Sequence, residues 1–471
     1  MSKPPEELAG LRVTVMGLGR FGGGIAVVNF LLAQGAHVTL TDLQDAESLL
    51  DSLQQIDTSK LSALILGGHR REDFEHADLI VANPAVNPAR NSFLQAAINQ
   101  NVPVTSEMEL FWQRCPGRVI AVTGTVGKST TASLIAHLLS AAGQRMHLGG
   151  NIGVSLLPKL QCISKDDWVV LELSSFQLAL LAEFRPQPEI AVVTNLAPNH
   201  LDWHLDWDDY VAAKQNVSRW QRSNQLTVLN ADDSHLRDWP GNGKRAWFGS
   251  RFNADQLGIA IQADHGQFCC EATHDEVPFS SLPSNLQSPH QRENIAAALV
   301  VANCVLHQPV DRTISTLKAF STLPHRCEVV GACGGVTFIN DSKATIPEAT
   351  IAAVKSLRSP VILIAGGKDK KIDLSGMCQA IAGRIAGVAL IGETADSLRT
   401  DFQKLRPELP SHVHSSLASA FDWCLGLAQD GDTVLLSPGC ASYGEFRNYE
   451  DRGEQFRQLV RNYSETENFA D

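Results

Sequence analysis

Short apolar runs along this chain alternate with stretches of helical period. Leu11–Met16, His37–Thr41, Ala63–Leu66 and Asp78–Ala82 predict strands, and Gly22–Gln34 and Asn91–Gln100 predict helices. Strand and helix in strict alternation imply a parallel sheet with right-handed crossovers. A second run opens at Arg118–Val122. It contains Trp168–Leu173 and Glu189–Thr194 as buried strands and continues through Gln225–Asn230 to a helix near Glu293–Leu306. Asn242–Pro289, rich in Gly, Ser and Pro, predicts irregular or antiparallel β structure. A third run starts near His325, with strands at Val336–Ile339, Val361–Ile364, Val388–Ile391 and Thr433–Leu436. The polar tail Ser464–Asn468 is expected to fray. The fold class is therefore α/β in three domains, at residues 1–113, 114–324 and 325–471.

Composition narrows the class of protein. A length of 471 residues suits about three domains. The net charge of −12 argues against a nucleic-acid-binding surface, which needs a basic stripe. No stretch approaches the roughly 18 apolar residues that span a bilayer, so no membrane association is expected. The ten cysteines are scattered and contain no Cys-x-x-Cys pair, which reads as reduced core thiols. The first residues lack the apolar core of a secretory signal. A cytoplasmic protein is expected. It should be a monomer, since no long exposed apolar strip is evident.

The sharpest chemical signal is Val119–Thr131, a buried strand running through Thr123-Gly124-Thr125-Val126-Gly127-Lys128-Ser129-Thr130 into a helix. That order aims a helix N-terminus and free backbone N–H groups at one point, which favours phosphate. Gly124 and Gly127 let the backbone approach closely, Lys128 reaches terminal phosphates, and the Ser129 hydroxyl can ligate Mg²⁺. The usual glycine five residues before Gly127 is Val122 here, so the loop is a shortened Gly-x-x-Gly-Lys-Ser form. This marks an ATP site in a central domain like a P-loop ATPase.

Near the start, Gly17-Leu18-Gly19-Arg20-Phe21-Gly22 follows a strand and opens a helix, with Asp42 twenty residues beyond Gly22. That is a dinucleotide-type fingerprint, and it does not choose between NAD and a UDP-sugar. Glu172 closes a strand one crossover after the phosphate loop, which makes it a candidate Mg²⁺ ligand opposite Ser129. His200 and Asp202 follow the next strand, and a neutral imidazole there is a candidate second ligand. His204 is expected at the surface. In the last third, Asn340–Thr345, Ala365–Lys370 and Leu436–Ser442 each follow a strand and form one polar edge.

Together these motifs resemble the Mur ligase family over essentially the whole chain, from Gly17 to Gly453. Gly124–Thr130, Leu171–Leu178, Asn340–Thr345 and Leu436–Gly453 are the most specific elements. Asp-Ser-Lys-Ala-Thr with Ser-Pro-Gly-Cys-Ala-Ser looks like the D-glutamate-adding branch. The Asp-Asn-Pro-Arg run of the diaminopimelate- or lysine-adding branch is missing. The resemblance implies Rossmann-like N- and C-terminal domains around the central one. It also implies an ATP-dependent ligase joining the alanyl carboxylate of UDP-N-acetylmuramoyl-L-alanine to D-glutamate through an acyl phosphate.

Residue by residue, the resemblance puts the UDP substrate on Gly17, Gly19, Gly22, Asp42, Asn83, Asn151 and Ser174. ATP falls to Gly124, Thr125, Gly127, Lys128, Ser129, Thr130, Asn294 and Arg326. D-Glutamate falls to Lys343, Thr345, Ser442 and Tyr449. Two Mg²⁺ ions are implied at Ser129, Glu172, His200 and Lys214, with Lys214 carbamylated; Lys128, Glu172, His200 and Lys214 form the catalytic set. By composition alone Lys214 reads as an ordinary helix lysine. The chain departs from the family pattern at Val126 and Ile346, where asparagine is usual, at Tyr449, where phenylalanine is common, and at Leu43-Gln44 after Asp42. The rivals are a sibling ligase of the family that adds a different amino acid and, from another class, an NAD(P)-dependent dehydrogenase. The dehydrogenase leaves the phosphate loop, Glu172 and the whole third domain without a role.

Overall fold

The computed structural model describes the chain except residues 1–4, 20–21, 153–154, 201–202, 252–255, 263–264, 271–272, 284–285, 321–323, 358, 370–372, 443 and 469–471. Asp202 and Lys370, both singled out above, lie outside the described residues. The fold is mixed α/β with three sheets. The first contains β1 (Arg12–Met16), β2 (His37–Asp42), β3 (Ala63–Leu66), β4 (Leu79–Ala82) and β5 (Val104–Thr105), in the order β3-β2-β1-β4-β5 and parallel throughout. Its topology reverses between β1 and β4, where the ligand crevice of an open α/β sheet forms.

The second sheet contains β6 (Arg118–Thr123), β7 (Met146–Gly150), β8 (Trp168–Glu172), β9 (Ile190–Val193), β10 (Leu226–Asn230), β11 (Lys244–Gly249), β12 (Gly258–Ile261), β13 (Gly266–Cys270) and β14 (Thr273–Val277). Its order is β14-β13-β12-β11-β10-β9-β6-β8-β7. The third contains β15 (Glu328–Cys333), β16 (Val336–Asn340), β17 (Val361–Gly366), β18 (Ile385–Ile391), β19 (Ser411–Val413) and β20 (Thr433–Leu436), in the order β15-β16-β20-β17-β18-β19. The first two sheets belong to one compact unit, residues 1–283 with 292–320. The third belongs to a second unit, residues 284–291 with 321–471.

Within the first unit one apolar core runs through both sheets. It joins Val13, Val15 and Val38 to Val119, Ala121 and Val169 by way of Met108, Leu110 and Phe111. Those last three lie on a helix, Glu107–Arg114, that the periodicity did not reveal. The segment after Asn242 is more regular than expected. β11 and β12 extend the sheet in parallel, and the antiparallel pairings are those of β13 with β12 and with β14. The tail expectation is overturned: residues 464–468 complete the last helix, Tyr449–Asn468. That helix is held to the third sheet by Phe456 and Val460, which are buried in its core.

Candidate active site

β6 is buried almost throughout and delivers the chain to Gly124, whose φ of 143° only glycine tolerates readily. Gly127 caps the helix Lys128–Ala141 at φ 86°, and a Cβ there would strike Asn294 Oδ1. Thr131 Oγ1 donates to the same Asn294 oxygen at 3.2 Å, so Asn294 stands beside the loop. The loop is held on its far side by the segment after β9. Asn195 Oδ1 accepts from Val126 N at 2.9 Å, Asn195 Nδ2 donates to Val126 O at 3.0 Å, and Thr194 Oγ1 donates to Val126 O at 2.6 Å. Thr125 turns away from the anion site: its hydroxyl accepts from Ala197 N at 2.9 Å and lies 2.8 Å from the Tyr210 hydroxyl. Lys128 Nζ donates to Thr125 O at 2.8 Å, and Thr130 is half-buried in the first helical turn.

Glu172 ends β8 next to β6, as the sheet order requires, and is almost wholly buried. The Ser129 hydroxyl hydrogen-bonds to Glu172 Oε2, and Asn151 Nδ2 donates to Oε1 at 3.1 Å. Asn151 owes its place to β7, a strand the sequence did not suggest; Asn151 N also donates to Glu172 O at 2.9 Å. Ser174 caps the next helix reciprocally with Gln177. One hydroxyl and one carboxylate beside an anion cradle suit Mg²⁺, which takes few protein oxygens and completes its shell with phosphate and water. Among the described residues no cluster of three or more His, Cys, Asp or Glu forms a cage for a metal.

Lys214, on the helix Trp207–Gln215, is 2 % exposed. Its Nζ donates to Gly124 O at 2.7 Å and to Thr123 Oγ1 at 3.4 Å, and lies 4.8 Å from the Tyr210 ring centroid. Burial pushes the amine well below the ordinary lysine value; Lys128 adds to the fall and Glu172 opposes it. A lysine at an unremarkable helical position is thus placed against the phosphate loop.

His200 has φ 57°, unusual for a non-glycine residue, and its ring meets Phe176 edge-on at 4.7 Å. His204 is corrected by the structure: it is fully buried rather than at the surface, with Nδ1 3.1 Å from Asp209 Oδ2. Trp203 stacks on Phe176 and donates Nε1–H to Ala85 O at 3.1 Å, while Asn87 Nδ2 donates to Trp203 O at 2.8 Å. The His200 segment is thereby tied to the loop that follows β4.

That loop begins at Asn83, in the crevice between β1 and β4. A Cβ on Gly17 would press on the Asn83 side chain, and Gly17, Gly19 and Gly22 all take positive φ. Asp42 is buried and turned inward. Its Oδ2 accepts from Leu18 N at 2.8 Å and Gly19 N at 3.3 Å, and its Oδ1 from Gln44 N at 2.9 Å. The acid therefore shapes the glycine loop itself.

In the second unit, the carboxyl ends of β16, β20 and β17 lie side by side. Lys343 Nζ lies 5.0 Å from the Tyr449 ring centroid. Thr345, Lys368, Asp369, Leu374, Thr394, Gly439 and Cys440 line a shallow depression, and Ser442 is buried two residues after Cys440. Asp341 accepts from Ser437 Oγ at 2.7 Å and Cys327 N at 3.1 Å, yet burial raises its carboxyl to about 6. Arg326 is among the groups that oppose this rise.

A glycine loop feeding a helix N-terminus on a parallel sheet, with a buried carboxylate on the neighbouring strand and two further sheets in α/β surroundings, defines a multidomain α/β protein of the kind that binds nucleotides. The chain belongs to the Mur ligase family. Residues 11–106 match the Mur ligase MurD-like N-terminal domain, 122–302 the Mur ligase middle domain, and 325–440 the Mur ligase glutamate ligase domain. The UDP-N-acetylmuramoylalanine–D-glutamate ligase of Roseiflexus sp. is 37% identical, covering 97% of this chain and 100% of its own. That of Acidobacterium capsulatum is 35% identical, covering 96% and 97%. Among solved structures, UDP-N-acetylmuramate-alanine ligase MurC from Thermotoga maritima aligns with a TM-score of 0.61 at 18% identity, covering 97% of this chain and 100% of that one. MurF ligase from the same organism, in complex with ADP, gives 0.58 at 17% identity, covering 99% and 97%. At such identities the likeness is one of fold.

Proposed function

We propose that the chain is an ATP-dependent ligase that joins the alanyl carboxylate of UDP-N-acetylmuramoyl-L-alanine to the amine of D-glutamate, in peptidoglycan precursor synthesis. The observation that carries this reading is the phosphate loop with Ser129, Glu172 and buried Lys214 converging on it, in a chain whose full-length relatives bear that name. The substrate carboxylate attacks the γ-phosphate of ATP, ADP leaves, and an acyl phosphate forms. The neutral amine of D-glutamate then adds to the acyl carbon, its nitrogen loses a proton, and phosphate leaves from the tetrahedral adduct. Ser129 and Glu172 would hold one Mg²⁺ and His200 and carbamylated Lys214 a second, and such ions would supply positive charge where the anions meet.

Lys128 and the loop N–H groups bind and orient the ATP phosphates, and Asn294 and Arg326 bind the rest of the nucleotide. Gly124, Thr125, Gly127 and Thr130 shape this cradle. The neutral Lys214 amine adds to carbon dioxide, an N–C bond forms and a proton is released, leaving a carbamate anion. Its lowered amine value supports this assignment. Gly17, Gly19, Gly22, Asp42, Asn83, Asn151 and Ser174 hold the UDP substrate, and Lys343, Thr345, Ser442 and Tyr449 hold D-glutamate.

The three domains are assigned to residues 1–113, 114–324 and 325–471, in keeping with the residue ranges of the three sheets. No described helix is long and apolar enough to cross a membrane; we read the enzyme as a cytoplasmic monomer acting on small molecules and not on nucleic acid. The test is phosphate release from ATP, Mg²⁺ and UDP-N-acetylmuramoyl-L-alanine. Release that requires D-glutamate, and that L-glutamate, L-alanine or diaminopimelate does not evoke, is expected. Measurable ATP binding without release for any amino acid would overturn the reading.

A further inference from the structure

We propose that Arg452 is a positioning residue that locks the two loops bearing Lys343 and Ser442 into one amino-acid-binding edge. The inference rests on the assignment of D-glutamate to that edge. Arg452 lies in the first turn of the helix Tyr449–Asn468 and is fully enclosed. A buried guanidinium is tolerated only when its donors find acceptors, and here they find two separate loops. Nε donates to Ser342 Oγ at 3.0 Å and Nη2 to Ser342 O at 2.8 Å. Nη1 and Nη2 both reach Cys440 O at 3.3 Å. Ser342 precedes Lys343 directly, and Cys440 stands two residues before Ser442.

The Ser342 hydroxyl accepts from Arg452 and donates to Tyr449 O at 2.8 Å, so the residue facing Lys343 joins the same network. Asn340 Nδ2 closes it by donating to Gly453 O at 2.9 Å. The titratable groups facing the guanidinium are the Cys440 thiol and the Glu445 and Asp341 carboxyls, and its other flank is the Phe446 ring at 6.0 Å. Burial lowers the guanidinium only to about 10, so it stays protonated at neutral pH and its field falls on the edge assigned to a dianionic amino acid. A lysine ammonium is a single point and cannot bridge both loops as a planar fork does.

The experiment compares Arg452→Ala, Arg452→Lys and wild type as full-length enzymes, after thermal melts establish which are folded. KM for D-glutamate, ATP and the UDP substrate are measured with kcat, with and without added methylguanidine. Loss of one or two charge-assisted hydrogen bonds predicts an increase of about 10- to 100-fold in KM for D-glutamate, with KM for ATP within about twofold of wild type. Methylguanidine should restore the alanine variant, and lysine should not substitute. If the alanine variant does not fold, the same KM split read in the lysine variant decides the matter. Equal changes in all three KM values, or none, would overturn the inference. A wild-type enzyme that does not use D-glutamate would instead overturn the underlying assignment.

Discussion

Replacing Lys214 by methionine, and separately depriving the wild-type enzyme of carbon dioxide, distinguishes a structural lysine from a carbamylated one. An unperturbed lysine with a pKa of about 10.4 is neutral in about one molecule per thousand at pH 7.5. Each unit of depression multiplies that fraction by about ten, and burial beside Lys128 moves Lys214 in that direction. The surroundings agree. Two oxygens accept from Nζ, at Gly124 and Thr123, which matches the two N–H groups of a neutral amine. A third ammonium proton would have, among the described residues, the Tyr210 ring face, a weaker partner than an oxygen.

Lys214→Met should reduce kcat on the order of 10²- to 10³-fold, the cost of removing one preorganised group. Its thermal midpoint should hold or rise, because a buried polar head is exchanged for an apolar one of similar size. Wild-type enzyme purged of carbon dioxide at pH 6 should lose activity and regain it with bicarbonate at pH 8, since acid protonates the amine. Mild intact-mass measurement should show the mass of one added carbon dioxide. The uncarbamylated folded chain holds fewer protons here than the unfolded chain, so its stability should rise with pH up to the ordinary lysine value. Activity indifferent to carbon dioxide, with no added mass, would refute the reasoning.

Gly127→Ala forces an alanine into the left-handed region and against Asn294; about 1–2 kcal/mol of strain and loss of ATP affinity are expected by unfolding and calorimetry. Asp42→Asn loses charge-assisted bonds to the glycine loop and should cost about 2 kcal/mol in urea unfolding, with weaker binding of the UDP substrate. Asp341 binds its proton more tightly folded than unfolded, so wild-type stability should fall between about pH 4 and 6; the difference from 3.8 to about 6 corresponds to about 3 kcal/mol, and Asp341→Asn should flatten that slope. Trp203→Ala removes a ring stack and one hydrogen bond and should weaken UDP-substrate binding in a fluorescence titration, with Trp203→Phe recovering the stacking share.

What the sequence revealed follows from where the physics is local. The glycine loops were legible because a positive φ and a close backbone approach leave few other residue types at Gly17, Gly124 and Gly127. Glu172 was legible because strand order carries a strand-end residue to the crevice. Contacts made across long separations leave no such mark. Asn195 holds the phosphate loop from 69 positions away, and Arg452 reaches Ser342 across 110. In a polar helix an arginine reads as solvated, so its burial was invisible, as was that of His204. β7 was missed because Met-His-Leu-Gly-Gly alternates too weakly to signal a strand.

The bonds around Val126 bear on how freely the loop can change its side chains. Both backbone groups of Val126 are taken by Asn195 and Thr194, so the loop keeps its shape whatever side chain stands there. The Val126 side chain takes part in none of these bonds. Shape and side-chain chemistry are therefore set separately at this point: a substitution at 126 changes what stands at the loop surface while Thr194 and Asn195 keep their hold on the backbone.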